Sequence, residues 1–361
     1  MVSKSVQMIA VLAVVVVAAA AAAVLFFPEG DQSGPDYHDD GKERYVPILP
    51  DGVSFDAGKG RLYSSVYSEW EVTDELTFYS ERKATHYEGS SIVLDEGYYS
   101  IVVGDERFDL IVEGTLTKSS TWSYKYNGQS YDVGVRYDID VLELANVVKE
   151  SREFNSRAKY SFEDLPSIVY VNDTVRSIEK QMETLFKGMG GSVNDRQEFA
   201  DFLASFPQLT LTYFNRLAED EETQRWGSEE YWANTLETLY FQTGDCEDFS
   251  AVACALFKAA GYDAGMIGVG GHVTAALTLD DFEPWDVAEL KKITNLSGSM
   301  TCTPFHAYND SEGTGPLYYG VETIKKQVPA GYVLNSTAKD IGGSAPSWAS
   351  FSGRYGVYPV D

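Results

Sequence analysis
The apolar positions fall into three regimes along the chain. From Val6 to Phe27 they are almost continuous, with no charge between Lys4 and Glu29. Wound as a helix at about 1.5 Å per residue, such a run reaches roughly the 30 Å of a hydrocarbon core. It also outruns the roughly 7 to 15 apolar residues of a signal peptide, so residues 1–28 read as a retained transmembrane anchor rather than a cleaved leader. Lys4 precedes the run, whereas Glu29, Asp31, Asp36, Asp39 and Asp40 follow it, so charge asymmetry puts the body outside the cytoplasm and the first helix in the lipid bilayer of the cell membrane. Residues 29–50 read as a flexible acidic linker.

Between 51 and 145 the period becomes two. Tyr98–Val103 and Arg107–Val112 make one predicted hairpin; Trp122–Tyr126 and Ser130–Val135, joined through Asn127-Gly128, make another. An antiparallel β-rich domain is expected there, serving as a spacer or docking platform, because it holds no Cys and only His86. Residues 146–167 form a connector in which the period turns helical. From 168 to 335 helical spacing governs Val175–Lys187, Asp195–Phe206 and a segment running from Cys246 towards Gly261, after which strands return at Ala264–Val269, at His272 onward and at Leu317–Ile324. Helices followed by strands indicate an α+β class. Residues 336–361, rich in Gly, Ser and aromatics, form a tail without a clear motif.

Composition narrows the partners. With 28 Lys plus Arg against 55 Asp plus Glu, the net charge of -27 disfavours nucleic acid. Three cysteines allow neither a disulfide framework nor a four-cysteine zinc site. No glycine-rich phosphate loop follows a strand. Sequons at Asn172, Asn295, Asn309 and Asn335 fit an external location.

The candidate chemistry centres on Thr243-Gly244-Asp245-Cys246-Glu247-Asp248-Phe249. Asp245 is a good N-cap with Asp248 at N3, which places Cys246 in the first turn of a helix, where free amides and the macrodipole favour a thiolate. Cys246 also shares an apolar stripe with Phe249, Ala253 and Phe257, which suits a small core residue, and the carboxylates of Asp245 and Glu247 oppose a thiolate. His272 opens a strand on the face of Thr274, Ala276 and Thr278, away from the apolar face of Val273, Ala275 and Leu277, and so is able to meet a cysteine on a neighbouring helix start. Glu322 is placed to accept the other imidazole N–H. Asp280, Asp286, Cys302 and His306 compete for these roles. Trp226, Tyr231 and Trp232 either line a cleft or fill the core.

Trp226-Gly227, Tyr231 to Leu239, Gly244-Asp245-Cys246-Glu247-Asp248-Phe249, Ala259-Ala260-Gly261-Tyr262 and Gly271-His272-Val273 together resemble the transglutaminase-like superfamily, closest to its microbial extracytoplasmic branch with bacterial transglutaminase-like cysteine proteinases. The resemblance covers about 168–335. It implies a papain-like core, preceded here by the β-rich domain and the anchor, and a triad of Cys246, His272 and Glu322, with Glu322 where the superfamily most often has Asp. It implies acyl transfer or hydrolysis on a protein or peptide substrate at the cell surface through a thioester, protease or amidase favoured over cross-linker. In the proteinase branch the acids flanking the nucleophile bind calcium, which here are Asp245 and Glu247; capping and dipole roles compete for the same two residues. The alternative function is a non-catalytic surface binding or structural module.

Overall fold
A computed structural model describes residues 45–361 apart from 158–159, 215–220, 229, 286–299, 325–326 and 346–350. Tyr45–Asp361 is one compact unit. It begins with β1 (Val53–Asp56), β2 (Arg61–Ser64), β3 (Glu69–Asp74), β4 (Thr85–Glu88), β5 (Ser91–Val93), β6 (Gly97–Val103) and β7 (Glu106–Val112). These build a three-stranded sheet in the order β1-β2-β5 and a four-stranded sheet in the order β4-β3-β6-β7. A separate core containing Leu62, Trp70, Ile101 and Leu110 lies between them.

The long hairpin of β8 (Thr115–Tyr126) and β9 (Gln129–Asp140) turns at Asn127-Gly128, both with positive φ (48° and 75°), as the sequence predicts. Its alternation turns Trp122, Tyr124, Val135 and Tyr137 inward. They pack in the principal core with residues of α1 (Val141–Asn155), α2 (Asp173–Gly188) and α3 (Arg196–Thr210). Side chains of Asp140, Asn172 and Asp195 each accept from a backbone N–H three residues on, which fixes the starts of these helices.

After α4 (Thr235–Phe241) comes α5 (Cys246–Ala259), buried at every position from Cys246 to Phe257. A helix that is small and apolar all round takes the centre of a domain. The sheet beside it contains β10 (Ala264–Val269), β11 (His272–Thr278), β12 (Tyr318–Val321) and β13 (Gly356–Pro359), in the antiparallel order β12-β11-β10-β13. The tail thus supplies an edge strand.

The expected fold class is corrected. The architecture is a mixed α+β unit, not a papain-like core of helices followed by a sheet behind a separate β domain. Trp122, Tyr137 and Ile139 from before residue 145 share one core with Phe202, Phe206, Phe249 and Phe257, so the boundary expected there crosses packed side chains. Nor does the transmembrane element stand as part of the class: among the described residues no helix is long and apolar enough to cross a membrane. The expected span, Val6–Phe27, lies outside those residues.

Two smaller expectations also change. The face of β11 that carries His272 is not a solvent face, because Thr274 and Ala276 are fully buried. The reason is a second apolar layer of Ile267, Val269, Tyr318 and Val357 on that side. Asn172 is a buried cap whose Nδ2 donates to Glu143 Oε2 at 3.0 Å, which leaves its sequon without room for a glycan. Asn295 lies outside the described residues.

Candidate active site
Cys246 occupies the first turn of α5, whose start is fixed by reciprocal capping. The Asp245 side chain accepts from the N3 backbone, and Asp245 N–H donates to Asp248 Oδ2 at 3.1 Å. Asp248 Oδ1 accepts from Ala233 N–H at 2.9 Å and so ties the helix start to the segment ahead of α4. Gly244 is needed here, since a Cβ at that position would come within 2.5 Å of the Asp248 carboxylate. The Cys246 N–H, one of the first four of its helix, has no intrahelical acceptor.

His272, at the first position of β11, reaches Cys246 across the interface between helix and sheet. Its Nε2 lies 3.2 Å from Glu322 Oε2, and the Cys246 thiol is near enough to raise the imidazole's pKa. With Nε2 on the carboxylate, Nδ1 is left for the sulfur. Glu322, just past β12, is fully buried, and its carbonyl is held by Gln208 Nε2 of α3 at 2.9 Å. Val273 N–H donates to Cys246 Sγ at 3.4 Å. The sequence-predicted trio therefore gathers at one place, with His272 on Glu322 and the adjoining Val273 N–H on Cys246.

The electrostatics favour a charged imidazole. Burial, the largest influence on His272, pulls its pKa down, but hydrogen bonds and charge from Cys246 and Glu322 outweigh it and push the value up to about 10. Burial first, then Asp245 and Cys246, hold the Glu247 carboxyl well above the usual carboxylate range. Cys246 Sγ donates to Glu247 Oε2 at 3.1 Å.

Ligand atoms of Asp245, Cys246 and Glu247 lie within 4.8 Å of one another. The set suits a hard cation poorly. Calcium takes six to eight oxygens, and here the third donor is the nucleophile's own sulfur.

The competing candidates sit elsewhere. His306 Nδ1 pairs with Asp310 Oδ2 at 3.2 Å. Cys302 packs on Val328 and Tyr332, and Asp280 lines a surface cavity with Asp195 and Trp285; Asp286 lies outside the described residues. Cys254 donates to Gly265 O at 3.1 Å, and burial pushes its thiol up to about 12; neither it nor Cys302 is in a disulfide. Trp226, Tyr231 and Trp232 are core aromatics: Trp226 stacks on Tyr231 at 4.7 Å and Trp232 on Tyr160 at 4.9 Å.

Sequence reasoning missed Ser250, Thr323 and Gln208, all buried. Ser250 is legible as a polar residue at i+4 from the nucleophile; the other two carry no local signal. Comparison with family models, with curated proteins and with solved structures gives no significant match.

Proposed function
We propose that the chain is a cysteine acyl-transfer enzyme of transglutaminase-like chemistry, acting on a protein or peptide amide. The observation that carries this reading is His272 held 3.2 Å from Glu322 while the next backbone N–H, that of Val273, donates to Cys246 Sγ at 3.4 Å. The thiol proton passes to Nδ1 of His272, and the thiolate attacks the amide carbonyl carbon. The oxyanion forms beside the Cys246 N–H of the first helical turn, where helix geometry and the macrodipole favour negative charge. Imidazolium then protonates the departing nitrogen, the C–N bond breaks, and a thioester remains. Water, deprotonated by His272, resolves it to a carboxylic acid; an amine in the same place gives a new amide. Glu322 keeps the ring oriented and its positive charge stabilised throughout.

The test is alkylation of each cysteine against pH in the folded protein, mapped by peptide. The expected result is a Cys246 that reacts well below the pH at which a free thiol ionises and loses that advantage in His272→Ala. A Cys246 that reacts as an ordinary thiol in both proteins assigns the chain instead to a binding or structural role.

A further inference from the structure
We infer that Ser250 and Thr323 are positioning residues that set the distance between nucleophile and acid, an inference that rests on the proposed acyl-transfer reading. Both are fully buried. Ser250 Oγ donates to Cys246 O at 2.6 Å, one turn back along α5. That commits its only hydrogen, so the contact of 3.0 Å between the two hydroxyls has Thr323 donating to Ser250. The same Ser250 oxygen lies 3.4 Å from Val273 O, beside His272.

One dipeptide therefore acts on both ends of the site. Glu322 grips the imidazole while Thr323, through Ser250, grips the turn that bears the thiol. A back-bonding serine inside a helix normally bends or slightly destabilises it. Here the bond gives the first turn of α5 a fixed link to the strand end carrying Glu322, in a dry interior where hydroxyl chains reinforce one another. That link ties the helix start directly to the chain just past β12, beside the contacts that run through His272 and Val273, and displacements near 1 Å cost about a hundredfold in rate.

The experiment compares iodoacetamide alkylation of Cys246 with that of Cys302 in the same molecules, across pH, for wild type, Ser250→Ala, Thr323→Val, the double variant and Thr323→Ser. Thr323→Val keeps the side-chain shape and decides the matter if Ser250→Ala does not fold; melting temperatures are recorded for all. Each single variant is expected to lose on the order of tenfold to a hundredfold of the Cys246 advantage. The double variant should lose no more than the worse single, because the two hydroxyls act as a unit, and Thr323→Ser should restore the rate and its pH midpoint. Variants that keep the wild-type advantage overturn the positioning role alone, as does an additive loss that Thr323→Ser leaves unrepaired. A wild-type Cys246 no faster than Cys302 overturns the acyl-transfer reading and this inference with it.

Discussion

Glu322 meets His272 at Nε2, 3.2 Å away, so the acid orients the ring and favours the tautomer with its proton on Nε2. Glu322→Gln keeps an acceptor for Nε2–H but removes the charge that favours imidazolium. Alkylation of Cys246 at acidic pH should slow about tenfold in Glu322→Gln and on the order of a hundredfold in Glu322→Ala. Equal rates in all three proteins would remove Glu322 from the site.

The same contact makes stability depend on pH. The folded-state pKa of His272, about 10, stands above its ordinary value of 6.5. A group raised in this way contributes fully below 6.5 and loses its contribution as pH climbs through 10. Urea unfolding between these limits should show stability falling by on the order of a few kcal/mol. His272→Ala should flatten that slope.

Glu237 should act in a more acidic window. It is buried, accepts from Tyr231 Oη at 2.9 Å, and burial more than any other influence lifts its pKa from 4.5 to about 7. Its favourable contribution is complete below 4.5 and disappears as pH rises through 7. Glu237→Gln, which keeps the acceptor for Tyr231, should be more stable than wild type at pH 8 by on the order of 1–3 kcal/mol, with no difference below pH 4. Thermal unfolding at the two pH values measures it.

A fourth expectation concerns the connection between β3 and β4, which docks on the segment leading to the nucleophile. Phe78 packs on Phe241 at 4.7 Å and on Trp226 at 5.9 Å, while Arg152 of α1 binds Glu75 at 2.7 Å. From Trp226 the chain leads through Tyr231 to Ala233, and so to Asp248. Phe78→Ala should cost about 1–3 kcal/mol and slow Cys246 alkylation as well. A loss of stability with an unchanged alkylation rate would confine Phe78 to packing.

Local signals were legible where physics is local. Asn127-Gly128 announced its turn, and Asp245 with Asp248 announced the start of α5, because turn dihedrals and caps are decided within a few residues. Cys246 taken alone reads more readily as a core residue than as a nucleophile, and it is 2% exposed yet close enough to His272 to raise that ring's pKa. What stayed hidden depends on who the neighbour is. Period-two alternation in β8 and β9 says that one face is covered but not that α2 and α3 cover it, so the hairpin was read into a separate domain. The face of Thr274 and Ala276 read as open for the same reason, since small residues suit a crowded interface as well as a surface.

The pairing of β10 with β13 has a temporal side. Met266 lies opposite Tyr358, so the strand just before His272 acquires its second neighbour only from residues made well after the nucleophile, the histidine and the acid. The surroundings of His272 are therefore completed by a long-range pairing, formed only once Gly356–Pro359 has joined the sheet.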